Sequence, residues 1–496
     1  MATASAAVLL GIALCASGCS SAAAPQAFGA CPASMNAART HIPPDRADTL
    51  EFGCATVRVP VSYDDPTGER LSLTVTRVRH RDRVEPLGSL VLLSGGPGQS
   101  GLELASTAAT LLPVGLLKRF DLVAYDPRGV GESAPINCGT DPDDPDLEKP
   151  IDMRTATGLA IVAAAHHRYA TGCATTLGAR AGAFSTTAAV RDLDLVREMV
   201  GDERLTAIGY SYGAKVGAQY AHRFPDRVRA LVLDAPSDPR TDLATTARHQ
   251  VRGFESAFDR YAAACASRPT CPRLGDPRSF VTDLVARAFA RPIASRRPQD
   301  SEPATGNDVL SAVVASLYDD ARWPDLDDGL YEARYGDAGT LFVLTESVAG
   351  PPVTDPSAPD PQDANFVINC TDAAPGPTDT EALATANAMV AESPLFGPSM
   401  AQQLVGCREW AVPRVVLELP TAPSTSTPVL VVGTVHDPAT PYAGAVSLTE
   451  VLGHATLLTY EGEGHTAVGQ SACVDRYVEQ YLTSLQVPPV GVRCAA

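Results

Sequence analysis

Ser211 lies in Gly209-Tyr210-Ser211-Tyr212-Gly213, a G-x-S-x-G pattern placed after a short apolar run at 205–208 and before a helical pattern at 214–224. A sharp strand-to-helix turn leaves little room beside the Ser. Small residues are therefore needed two positions before and after it, and the turn lifts the hydroxyl above a sheet. A Ser hydroxyl is a weak nucleophile until a base takes its proton. Of the nine His residues, His465 in EGEGH (461–465) follows the last predicted strand at its carboxyl end. In an open α/β sheet, that end carries the functional groups. His454 precedes the same strand and lies at the wrong end, whereas His436 follows the seventh strand. Its neighbour Asp437 fills the place of an acid that holds the His465 tautomer and stabilises the imidazolium. These residue types in this order imply nucleophilic acyl transfer by Ser211, His465 and Asp437.

Acyl transfer also needs N–H donors aimed at the developing oxyanion. Ser94-Gly95-Gly96-Pro97-Gly98 directly follows the third predicted strand. Pro97 has no N–H, so Gly96 is the expected donor, with the N–H of Tyr212 as the second. The same stretch contains a decoy, because residues 96–101 read G-x-G-x-x-G after a strand, as a dinucleotide fingerprint does. The strand before it is third and not first, and the acid downstream, Asp121, starts a strand when it should end one. No Gly-Lys-Ser/Thr follows, which excludes a Walker loop. No cofactor is expected.

Elements that position these groups can be read from apolar patterning. Runs at 55–61, 71–78, 89–93, 120–125, 205–208, 230–233, 428–432 and 455–460 read as eight strands. The first two alternate, as antiparallel strands with one wet face do; the later ones are continuous, as strands buried on both faces are. Helical patterns at 187–200 and 214–224 separate several of them, which predicts a mostly parallel sheet with helices on both faces. The span from Asp234 to Pro428 is too long for a loop. It holds helical patterns at 251–265 and 378–391 and Pro/Asp/Ser-rich breaks at 291–306 and 350–363. The expectation is an α/β fold of the α/β-hydrolase kind: an eight-stranded sheet with a large helical cap between strands six and seven. By residue, this gives a leader and tether at 1–30, core at 31–236 and 416–496, and cap at 237–415.

Composition bounds the partners. The 496 residues carry 39 Lys plus Arg against 57 Asp plus Glu, a net charge of −18. No basic run is present, which argues against nucleic acid and against docking on anionic lipid. Twelve cysteines include no CxxC pair and no adjoining His cluster, so no metal site is expected. Cys15 and Cys19 fall in or just after the apolar stretch at 6–16, which is too short for a membrane span and fits an export signal. Ala16-Ser17-Gly18-Cys19 resembles a lipobox that would lipidate Cys19, although no Lys or Arg precedes Arg39. The other ten cysteines suit an oxidising compartment. The protein is therefore expected to be secreted or held at the cell envelope, touching a membrane only through an N-terminal lipid.

LLSGGPGQSG (92–101), FDLVAYDPRGVGES (120–133), AIGYSYGAKVGAQYAHRFPDRVRALVLDAP (207–236), PVLVVGTVHDPATP (428–441) and EGEGHTAVG (461–469) resemble the tripeptidyl aminopeptidase-like family of secreted actinobacterial α/β-hydrolases. That family is related to the prolyl aminopeptidases. The resemblance runs from about residue 40 to the C-terminus and implies release of short peptides from free N-termini by a Ser211–His465–Asp437 triad. Prolyl aminopeptidases usually carry His at the start of the glycine motif. Ser94 stands there in this chain, a departure that bears on single-residue proline release and not on the triad.

An aminopeptidase must also hold a protonated amine, which a carboxylate does best. Glu255 and Asp259 lie four apart on one helical face, and Asp372 is a further candidate; Glu255 and Asp372 are the expected pair. Spacing does not determine how ten cysteines connect. Neighbour pairing is the expectation: Cys31–Cys54, Cys138–Cys173, Cys265–Cys271, Cys370–Cys407 and Cys473–Cys494. The competing readings are a secreted esterase or lipase with the same triad, and an inactive envelope-binding protein that retains the fold.

Overall fold

A computed structural model describes residues 27–139, 144–300, 302–350, 359–420 and 428–496. The expected export segment, with Cys15 and Cys19, lies outside the described residues. The strands are β1 (Leu50–Pro60), β2 (Arg70–His80), β3 (Ser89–Leu93), β4 (Asp121–Tyr125), β5 (Leu205–Tyr210), β6 (Val228–Asp234), β7 (Val429–His436), β8 (Ala455–Glu463) and β9 (Arg493–Cys494). They form one sheet in the order β1-β2-β4-β3-β5-β6-β7-β8-β9. β1 runs antiparallel to β2, and β2 to β4; every other pairing is parallel.

Among the described residues the sheet has nine strands, one more than the eight expected. The addition, β9, pairs Arg493 and Cys494 with Thr459 and Tyr460, and a disulfide ties Cys494 to Cys473 beside the helix Ala472–Ser484. Two residues carry no readable period, so only the pairing partner reveals this strand.

The central strands are apolar throughout because both faces are covered. One face presents Val91, Leu93, Val123, Ala207, Leu231, Leu233 and Val431 to the helices Thr186–Val200 and Tyr212–Arg223. The other presents Leu90, Leu92, Leu122, Ala124, Ile208, Val232 and Leu430 to the helices Gly101–Leu111 and Ala472–Ser484. Alternate residues of one strand thus enter two different cores, as the two-residue period of a strand requires. Each fully buried Leu or Val contributes about 1.5–3 kcal/mol relative to exposure.

Between β6 and β7 the described residues are mainly helical, from Leu243–Ala263 to Gly397–Met400. Phe254, Phe258, Tyr261, Leu284, Leu326 and Met389 build a core there. Packing departs from chain order in two places. Leu159 and Val162 of the earlier helix Ala156–Leu177 join that core, while Val367 and Ile368 of the helix Pro361–Asp372 pack with the sheet. Ten cysteines form the five neighbour pairs, Cys31–Cys54, Cys138–Cys173, Cys265–Cys271, Cys370–Cys407 and Cys473–Cys494.

Candidate active site

Ser211 follows β5 with φ 54° and ψ −114°, and the helix Tyr212–Arg223 starts at the next residue. The left-handed φ is strained for a residue with a Cβ. Its surroundings enforce it: the Ser211 N–H donates to the Asp234 carbonyl at 2.9 Å. Both flanking glycines are required by close approach. A Cβ on Gly209 would lie 2.3 Å from the Gly213 carbonyl oxygen, and one on Gly213 would lie 2.1 Å from that of Leu93. As the first residue of its helix, Tyr212 has an N–H with no intrahelical acceptor. Its ring is buried, and its hydroxyl sits 2.7 Å from Thr186 Oγ1.

The glycine segment after β3 packs directly on this turn. A Cβ on Gly95 would lie 3.4 Å from that of Ser211, and Gly96 turns the loop at φ 98°. On its other side, the helix Pro361–Asp372 braces the loop. Asn365 Nδ2 donates to the Pro97 carbonyl at 2.9 Å, and Gly98 admits the Pro361 carbonyl where a side chain would clash.

Asp437 and His465 follow β7 and β8, which pair in parallel up to His436 and Glu463. His465 Nδ1 lies 2.8 Å from Asp437 Oδ2 and 3.0 Å from Oδ1. Pro438 has no N–H, so the turn holds the carboxylate with the next two: Ala439 and Thr440 donate to Oδ1 at 2.9 and 2.8 Å. Thr440 Oγ1 donates to Oδ2 at 3.0 Å and lies 3.3 Å from His465 Nδ1. Burial opposes the His465 imidazolium, but the charge and hydrogen bond of Asp437, joined by the charge of Asp234, outweigh it and raise its pKa.

Several residues that hold this geometry carry no local signal in the sequence. Tyr318, between the helices Gly306–Ser316 and Trp323–Arg334, accepts the His465 N–H on its carbonyl at 2.9 Å. Its ring meets the imidazole edge-on at 5.3 Å. Asp234 and Asn365 are likewise identified only by their contacts. Thr440 had a signal, since Asp-x-x-Thr is turn-capping spacing.

The two expected amine-binding acids are already engaged. Glu255 pairs with Arg278 at 2.7 Å and accepts from Ser393 Oγ at 2.5 Å. Asp372 accepts from the Thr186 N–H at 2.9 Å and from Thr186 Oγ1 at 2.5 Å, and burial pushes its carboxyl up to about 6. Asp259 pairs with Arg278 as well. Glu255 is thus met by a guanidinium and Asp372 is buried against a helix start, and a substrate amine would have to compete with those partners. A cavity of about 380 Å³ reaches Asp437 and Thr440 and is lined also by His249, Gln250 and His436. Ser211 and His465 do not line it. Among the described residues, no group of His, Cys, Asp and Glu could hold a metal ion.

A strained Ser at a strand-to-helix turn, with a His–Asp pair on neighbouring parallel strand ends, defines a serine hydrolase. The chain belongs to the alpha/beta hydrolase fold family, whose model matches residues 88–472. It is 35% identical over 457 residues to serine protease Hip1 of Mycobacterium tuberculosis, covering 89% of this chain and 87% of that one. Carboxylesterase B of the same organism is 35% identical over 466 residues, covering 90% and 88%. Tripeptidyl aminopeptidase of Streptomyces lividans is 29% identical over 459 residues, covering 89% and 83%. Among solved structures, proline iminopeptidase of Mycobacterium smegmatis aligns with a TM-score of 0.41 at 16% identity, covering 87% of this chain and 98% of that one.

Proposed function

We propose that the protein is an exported serine exopeptidase that releases short peptides, tripeptides foremost, from free N-termini through an acyl-enzyme. The observation that carries the hydrolase chemistry is the contact of His465 Nδ1 with both carboxylate oxygens of Asp437, at the carboxyl end of the same parallel sheet whose β5 ends in the Ser211 turn. With Nδ1–H committed to the carboxylate, Nε2 keeps its lone pair and is the atom that takes the Ser211 proton. Ser211 Oγ then attacks the scissile carbonyl, and the N–H groups of Gly96 and Tyr212 receive the oxyanion. The imidazolium returns its proton to the leaving amine. Water, activated by the same His, releases the acyl group.

Peptide as substrate is supported by relatives named serine protease and tripeptidyl aminopeptidase. A second reading, ester hydrolysis by the same triad, is favoured by the equally similar relative named carboxylesterase. Export is supported by the five disulfides and the apolar N-terminal stretch. No described helix is long and apolar enough to cross a membrane. Lipidation at Cys19 would add an anchor, and Cys19→Ser would then abolish incorporation of labelled fatty acid.

One assay separates the readings: an unblocked Ala-Ala-Pro chromogenic amide, its N-acylated twin and a short-chain nitrophenyl ester. Turnover confined to the unblocked amide supports the exopeptidase. Equal rates on blocked and unblocked amides remove the free N-terminus from the proposal. Turnover of the ester alone favours the esterase.

A further inference from the structure

Asp234 is the last residue of β6 and is fully buried. It touches both halves of the proposed machinery. Its main-chain carbonyl accepts the Ser211 N–H at 2.9 Å, the bond that holds the nucleophile turn in its left-handed conformation. Its side-chain Oδ2 accepts the N–H groups of Ala467 and Val468 at 2.9 and 2.8 Å, two and three residues beyond His465. Between them and the base, Thr466 adopts φ 71°, a conformation an unsupported loop would relax. The residue after Asp234, Ala235, donates to the Val432 carbonyl at 3.0 Å and so ties this strand end to β7, the strand that precedes Asp437.

His465 Nδ1 is held by Asp437 and Thr440. No hydrogen bond from Asp234 to the imidazole accompanies these among the described residues, so the acid of the triad is not duplicated. Only one carboxylate oxygen is used: Oδ1 is buried without a partner among the described residues. What the loop takes from Asp234 is one acceptor oxygen at a defined height on a rigid strand.

We propose that Asp234 is a positioning residue that sets the separation of Ser211 and His465, its carbonyl placing the nucleophile turn and its carboxylate placing the loop that carries the base. This rests on the reading of Ser211 as nucleophile and His465 as base. A misplacement of about 1 Å at such a pair costs on the order of 10²-fold in rate, without any change in what the substrate touches.

The test compares Asp234→Ala, Asp234→Asn and Ser211→Ala on the unblocked amide and the ester. Each variant is also followed for its rate of labelling by a fluorophosphonate and for the low-field proton resonance of His465 Nδ1–H. Asp234→Ala is expected to lower kcat about 10²-fold on whichever substrate is turned over, with KM within about threefold. The low-field resonance is expected to shift or broaden. Asp234→Asn keeps an acceptor oxygen for both N–H groups and is expected to recover kcat to within about fivefold of the parent. If Asp234→Ala does not accumulate as folded protein, Asp234→Ser replaces it, because its shorter side chain falls short of the loop and predicts the same loss.

Unchanged kcat with a lowered Tm in Asp234→Ala would overturn the proposal, leaving a purely structural residue. So would Asp234→Asn failing as badly as Asp234→Ala, which would make charge and not placement the requirement. An active Ser211→Ala would instead remove the hydrolase reading itself. An inactive Ser211→Ala beside a fully active Asp234→Ala would remove only the role of Asp234.

Discussion

Several carboxylates at the carboxyl ends of the sheet are held by main-chain N–H groups, whereas several in the inserted helices are held by arginines. Asp372, held by Thr186, and Glu463, paired with Arg260, are exceptions on either side. Asp437 is held by the N–H groups of Ala439 and Thr440, Asp234 by those of Ala467 and Val468, and Asp126 by those of Leu102 and Glu132. In the insertion, Glu255 meets Arg278, Asp327 meets Arg268, Glu346 meets Arg297, and Glu392 meets Arg248 and Arg252. Hydrogen bonds from those two arginines hold the Glu392 carboxyl down to about 2. A neutral N–H fixes a carboxylate without cancelling its charge, so the charge stays available to a neighbour such as His465. A guanidinium at hydrogen-bond distance closes the pair electrically. The difference separates acids of the same type, equally readable in the chain, into those whose charge faces a neighbour and those whose charge is met by an arginine.

The largest expected effects fall on the sheet side. Ser211→Ala should lower kcat on the turned-over substrate by about 10⁴–10⁶-fold. Asp437→Asn should cost about 10⁴-fold with the fold intact by circular dichroism, because the imidazole loses its tautomer and its counter-charge. Near-normal activity in Asp437→Asn would break the contrast between the two regions.

A smaller effect concerns pH. His465 must be neutral to accept a proton, and its pKa is raised from 6.5. Activity is therefore present above that raised value and lost as pH falls through it. The acid limb of kcat/KM should titrate above 6.5, and Asp437→Asn, by removing the largest raising influence, should move the limb of its residual activity downward.

On the insertion side, Glu255→Gln should leave kcat/KM for the unblocked amide within about threefold. Its stability in urea should fall by no more than about 1 kcal/mol, as for a partly exposed pair. A selective loss on the unblocked amide, with the blocked twin unaffected, would establish Glu255 as an amine holder.

A last effect, on stability and not on turnover, sharpens the status of Asp372, whose folded pKa is raised from 3.8 to about 6. A raised folded value means the protonated form favours the native state. That contribution is fully present below the unfolded pKa and is lost as pH rises through the folded one. Asp372→Asn does not titrate, so the Tm of the variant relative to the parent should rise between pH 4 and pH 8, as followed by differential scanning calorimetry.

Much of the fold was readable because its signals are local. Continuous apolar runs marked the strands from β3 to β8, and alternation marked β1 and β2 as antiparallel. The glycines at 209 and 213 announced a crowded turn, and the crowding is there in backbone contacts near 2 Å. β9 was not readable, since a two-residue strand has neither period nor length. Tyr318 was not either: a Tyr after a helix has no mark that its carbonyl will accept the His465 N–H and its ring meet the imidazole.

The sequence by itself determined the order Ser211, Asp437, His465 and the turn chemistry around each, because a turn depends on residues adjacent in the chain. Only the tertiary structure decided which partners each acid meets and what holds the base in place. The partners that settle those questions are distant in sequence: Ser393 reaches Glu255 across 138 residues, and Asp234 receives the Ala467 N–H across 233. Charge compensation acts through space, and no local pattern records it.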